Sequence, residues 1–96
     1  MPYQLVYRTN AKLNIKAAKI WYKQQRNGLQ RDFAISVKEA IARINAHPEA
    51  FTIRYKNVRI AHTKTFPFSI HFYVDKIQKQ IVITNVLHDR RDVNVG

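Results

Sequence analysis

The sequence predicts an α+β fold in which an N-terminal helical hairpin lies on a curled antiparallel sheet. Three observations predict it. The apolar period is two over residues 3–8, becomes helical from 11 to 44, and returns to two from 52 to 88. The two helical stretches are separated only by Asn27-Gly28, so they must pack as an antiparallel pair. Ninety-six residues support one modest hydrophobic core, which the hairpin and the sheet must share. The chain therefore reads as a single domain over 1–96, with element order β-α-α-β-β-β.

From the N-terminus, Tyr3, Leu5 and Tyr7 alternate with Gln4, Val6 and Arg8, a short strand with one apolar face. Thr9 or Asn10 is placed to cap a helix over 11–25. Plotted at 100° per residue, Lys12, Lys16, Lys19 and Lys23 fall in one stripe, and Trp21 lies nearly opposite. Ala11, Ile15, Ala18 and Tyr22 flank Trp21 on one side, Leu13, Ala17 and Ile20 on the other. An apolar arc that wide is expected to touch two neighbouring elements. Gly28 stops the helix, since it adopts the left-handed conformation at little cost. Leu29, Phe33, Val37, Ala40, Ile41 and Ile44 share one face of the second helix, which should end by His47, the residue before Pro48. After a corner at 48–51, residues 52–55 and 58–62 read as a strand interrupted or turned near Lys56-Asn57. Phe68, Ile70, Phe72 and Val74 make the next strand, and 75–79 is a polar turn. The last strand, 81–88, is apolar on nearly every residue and is expected to be central. Tyr3, Tyr7, Phe68, Phe72 and Trp21 sit at core phase.

Lys and Arg number 17 against 6 Asp and Glu, a net charge of +11. A compact body so charged repels itself, which points to a polyanion or an acidic partner. The absence of cysteine excludes disulfides, thiolate metal sites and a Cys nucleophile. With two glycines there is no Gly-rich phosphate loop. No apolar run approaches a membrane span, and the first residues do not begin a signal peptide, so a cytoplasmic protein without membrane contact is expected. His47, His62 and His71 lie in three segments without Asp or Glu at ligand spacing, so neither a metal nor another cofactor is expected.

Several residues together resemble the RelE/ParE-type toxins, the plasmid-stabilisation family of bacterial type II toxin–antitoxin systems. In the helical half these are Ala11, Ile15, Ala18, Trp21-Tyr22, Gly28-Leu29 and Phe33. In the sheet half they are Pro48, Phe51, Val58-Arg59, Phe66-Pro67-Phe68-Ser69-Ile70-His71-Phe72 and Val86-Leu87-His88-Asp89-Arg90-Arg91-Asp92. The set runs in order across almost the whole chain. The resemblance implies a growth-inhibiting toxin neutralised by an antitoxin from an adjacent gene. Within that fold, ParE-like members poison DNA gyrase without covalent chemistry, and RelE-like members cleave messenger RNA on the ribosome. Trp21-Tyr22, Phe66-Pro67-Phe68 and His88 with Arg90-Arg91 look closer to the ParE side.

Metal-independent RNA cleavage needs a base, an acid and cations around the phosphorane. Arg54, Lys56 and Arg59 are candidate cations from the strand after the helices, His88 is the acid/base candidate, and Arg90 or Arg91 is a candidate phosphate fork. His88, Arg91 and Arg59 would be the catalytic set if the chain is a nuclease. No tyrosine follows Tyr73, so the late tyrosine of the RelE type is absent. The plainer readings are that His88 ends a strand and that Arg59 pairs with an acid or with backbone oxygens. Asp32 and Glu39 are expected to pair with Lys38 or Arg43 on their own helix. No acid precedes Asp32, so Lys12, Lys16, Lys19 and Lys23 are expected to meet an acidic partner or a polyanion. The antitoxin is expected to be acidic or amphipathic, and the free protein to keep an apolar patch that it covers. The sequence thus supports a ParE-like toxin binding gyrase, with a RelE-like endoribonuclease as the alternative.

Overall fold

The computed structural model describes residues 3–90. Strand β1 (Gln4–Tyr7) leads directly into helix α1 (Thr9–Gln25) and then α2 (Leu29–Ala46). A 3₁₀ turn at Pro48–Ala50 precedes β2 (Ile53–Tyr55), β3 (Val58–His62), β4 (Phe68–Asp75) and β5 (Gln80–His88). The helices and strands sit within a few residues of where the apolar periods place them, and the α+β architecture stands.

Three local expectations are corrected. Of the two readings of residues 52–62 the turned one holds, a β2–β3 hairpin with Lys56 at φ 50°, so the sheet has five strands rather than the four of a β-α-α-β-β-β order. The sheet is not wholly antiparallel: in the order β1-β5-β4-β3-β2, β1 joins β5 in parallel. The helices carry the chain from β1 at one edge of the sheet to β2 at the other, and the strands that follow return until β5 lies beside β1 and runs the same way. Neither Thr9 nor Asn10 caps α1. Arg8 N–H still donates to Ile83 O at 2.9 Å, so the ladder runs into the helix and leaves no residue free to act as a separate cap. Between the helices Gly28 has φ 109°, and its N–H donates to Gln30 Oε1 at 2.8 Å.

One face of the sheet carries Phe68, Ile70 and Phe72, Ala61, Ile81, Ile83 and Val86, buried beneath the helices. Phe33 of α2 is fully buried, with ring centroids 4.9 Å from Phe68, 5.3 Å from Tyr22 and 5.6 Å from Phe66. Phe66 is held there by its loop: Thr63 Oγ1 donates to Phe66 O at 2.6 Å, and Ser36 Oγ of α2 donates to Lys64 O. Arg43 donates to His62 O at 2.8 Å, tying α2 to β3 rather than pairing with an acid on its own helix. By alternation Ser69, His71 and Tyr73 occupy the other face. There Tyr55 OH lies 2.8 Å from His71 Nδ1, and Arg8 donates to Tyr73 OH at 2.7 Å.

Phe33 packs against rings from both layers, so Phe33→Ala is expected to lower stability by about 3–5 kcal/mol. Urea denaturation followed by far-UV circular dichroism measures it, and a loss under about 1 kcal/mol would contradict this packing.

Candidate interaction site between the first helix and the last strand

Helix α1 has three faces and only one is covered. Ala11, Ile15, Ala18 and Tyr22 face the core, and the Lys12, Lys16, Lys19, Lys23 stripe is exposed. The remaining face is apolar yet open: Leu13 is 58% exposed, Ile20 52% and Trp21 55%. The helix therefore buries one flank of its wide apolar arc and leaves the other uncovered, and Trp21 is not a core residue. Its ring leans edge-on against Tyr22, with centroids 5.1 Å apart.

The geometry of β5 creates the opening. Strand β1 pairs only with Gln80–Ile83. The register with β4 then slips by one residue, from Phe72↔Ile83 to His71↔Asn85, so Thr84 is an extra residue and a bulge. Beyond it β5 continues without a strand on its outer side. Asn14 of α1 takes up the exposed edge: its Oδ1 accepts from Val86 N–H at 3.0 Å and from Asn85 Nδ2 at 3.4 Å. Between this helix and this edge lies a groove of 610 Å³ with an apolar lining. Ala17, Ala18, Trp21 and Tyr22 form one wall, Val86, Leu87 and His88 the other, with Pro67 and Phe68 at one end. Two alanines side by side on α1 keep the helix wall low. Burial raises the Tyr22 hydroxyl above its ordinary pKa, as expected for a phenol against apolar walls.

The sequence-predicted site residues fall into three places. His88 ends β5 exposed at the groove, its Nδ1 accepting from Arg90 N–H at 3.1 Å and its ring 5.3 Å from Phe68. Arg90 is exposed beside it, and Arg91 lies outside the described residues. Arg54 and Lys56 are exposed on the β2–β3 hairpin at the opposite edge of the sheet. Arg59 turns back to donate to Phe51 O at 2.6 Å and Glu49 O at 3.2 Å, the backbone-oxygen pairing. Arg59 is level with Phe72 of β4 and His88 with Phe68, so four residues, about 13 Å along the strand, separate them, with β4 between. The structure does not bring His88 and Arg59 together.

A cluster absent from the sequence reading joins His62, Ser69 and Asp89. Ser69 Oγ donates to Asp89 Oδ1 at 2.6 Å and lies 3.1 Å from His62 Nδ1. Ser69 is fully buried and its proton points to the carboxylate rather than to the imidazole, so the group is not an activated nucleophile. It fastens the chain after β5 to β3 and β4. The missed signal was the pairing of His62 with Ser69, which no spacing in the sequence reveals. Among the described residues, no three His, Asp or Glu side chains group as metal ligands.

At the far end of the sheet Lys76 Nζ and Glu49 Oε2 are 2.8 Å apart in an exposed pair. The hydrogen bond from Lys76, then its charge and that of Arg59, hold the Glu49 carboxyl below its ordinary pKa. A lowered carboxylate contributes stability above its unfolded pKa and loses it as pH falls through the folded value. Lys76→Met should raise the Glu49 pKa back toward the ordinary carboxylate value in a side-chain carboxyl NMR titration. Asn14→Ala should cost about 1–3 kcal/mol and speed Val86 amide exchange, because it leaves a partly buried N–H without its acceptor. Unchanged exchange at Val86 would contradict that role.

The sequence matches no protein-family model and no curated protein. Solved structures do match over nearly the whole chain. One, described as the chromosomal ParDE TA system from P. aeruginosa, aligns with TM-score 0.78 at 18% identity, covering 90% of this chain and 95% of that one. Another, the toxin–antitoxin complex RelBE2 from Mycobacterium tuberculosis, aligns with TM-score 0.64 at 16% identity, covering 92% and 99%. No helix among the described residues is long and apolar enough to cross a membrane. Helical hairpin, five-stranded sheet and strand order together give this chain a RelE/ParE-like fold, with the better superposition on the ParDE structure.

Proposed function

We propose that this protein is the toxin of a type II toxin–antitoxin pair of the plasmid-stabilisation class. It is ParE-like, inhibiting growth from the cytoplasm by binding an essential target such as DNA gyrase. An antitoxin encoded by the adjacent gene holds it inactive. The full-length likeness to the ParDE structure carries this reading. The uncovered apolar groove supports it further, since a face left open in the free chain is what a neutralising partner would cover. Binding rather than chemistry is favoured because Arg59 is engaged by two backbone carbonyls and stands apart from His88.

The RelE-like alternative, a ribosome-dependent endoribonuclease, draws support from the net charge of +11 and from exposed His88 and Arg90. Two assays separate the readings. The purified chain is incubated with gyrase in a supercoiling assay, and separately with programmed ribosomes followed by mapping of RNA ends. The account expects supercoiling to stop and RNA to stay whole. RNA cleavage that disappears in His88→Ala would establish the alternative. In cells, expression of the chain should arrest growth, and co-expression of the adjacent gene's product should restore it.

A further inference from the structure

The lysines of α1 form a row of a single residue type. At the helical turn per residue, Lys12, Lys16, Lys19 and Lys23 span an arc of about 60°, and no other residue of Thr9–Gln25 falls inside it. From Lys12 to Lys23 the row is about 16 Å long. All four side chains are exposed. Among the described residues the ion pairs are His62 with Asp89 and Lys76 with Glu49, and neither involves α1. Residues three and four apart on a helix are neighbours, so these charges repel one another. No acid precedes Asp32 to relieve them. The row is a cost to the free helix that an external anion would remove.

We propose that this row is a docking surface for the phosphate backbone of double-stranded DNA. A duplex carries one phosphate charge about every 1.7 Å of its axis, so about ten lie along the length of the row. Flexible lysine stems can then set each ammonium on a phosphate. Single strands are a poorer match, because no aromatic side chain lies in the row for bases to stack on. Ammonium groups only donate, so the row holds no acceptor for the 2′-hydroxyl proton that marks RNA. An acidic protein is a poorer match too, because the row contains no apolar residue to form the dry centre of a protein interface. Trp21 lies nearly opposite, so a chain held by its lysines keeps the groove turned away from the duplex and open to another macromolecule. The surface is separate from the groove, and the proposal does not rest on the toxin–antitoxin reading.

The test titrates a labelled DNA duplex of arbitrary sequence with the purified full chain, following fluorescence anisotropy at several salt concentrations. Each lysine seated on a phosphate contributes about 0.9 to the slope of log affinity against log salt. Lys16→Gln with Lys19→Gln preserves helix propensity, and both it and the wild-type chain should unfold at the same temperature. This double variant should flatten the slope by about 1.8, making the loss of affinity between about 50 and 200 mM salt roughly twelvefold smaller. Arg54→Gln with Lys56→Gln removes the same charge from the opposite edge of the sheet. Equal flattening by that second pair would overturn the assignment to α1, and so would an unchanged slope in the α1 variant. Tighter binding to duplex RNA of the same sequence would overturn the choice of DNA. An α1 variant that keeps the DNA slope but loses affinity for the adjacent gene's product would make the row a protein contact and overturn the proposal.

Discussion

Strand β5 organises the molecule because its outer edge changes partner midway. For four residues it is paired by β1, and past the Thr84 bulge the Asn14 side chain takes up the edge amide of Val86. Backbone groups near the interior must be satisfied, so where the neighbouring strand ends a side chain has to substitute for it. That substitution fixes how α1 lies against the sheet. With α1 anchored at Asn14, its core side meets the sheet while Leu13, Ala17, Ile20 and Trp21 are turned outward. The groove is thus a consequence of where β1 stops.

Charge is distributed unevenly over this frame. Glu49 is engaged by Lys76, and Asp75 accepts the N–H groups of Ile77 and Gln78 in its own turn. Asp89 is engaged by Ser69. Half of the six acids are therefore taken up locally, and the α1 lysines, Arg54, Lys56 and Arg90 remain exposed. The outer surface is cationic on its helical side and at the hairpin edge, while the groove between α1 and β5 is apolar. A partner suited to both would bring apolar anchors on an acidic segment.

Much of this was legible in the sequence, for a physical reason. Period two and period 3.6 are imposed by burial, so the strands and helices appear in the order of Leu5, Phe33, Val37, Ile70 and Ile83 along the chain. Topology was less legible. The turn near Lys56-Asn57 could be read locally, but the parallel entry of β1 depends on which edges meet, and local patterning is the same for either answer. The site divided along the same line. Lys12, Lys16, Lys19 and Lys23 fall on a wet face by phase alone, and the sequence admits backbone oxygens as partners of Arg59. Trp21 was misplaced because phase shows that a face is apolar but not whether anything covers it. The Ser69, His62 and Asp89 cluster was invisible because its members come from three segments joined only by register.

Trp21 is the one tryptophan in the chain, so its fluorescence reports on the groove directly. In the free protein the account predicts emission at the long wavelength of a hydrated indole and efficient quenching by acrylamide. On addition of the proposed neutralising partner the emission should move to shorter wavelength and become protected from the quencher. A blue-shifted, quencher-resistant Trp21 in the free chain would contradict the account, because the helix face and strand edge on which it depends would already be closed.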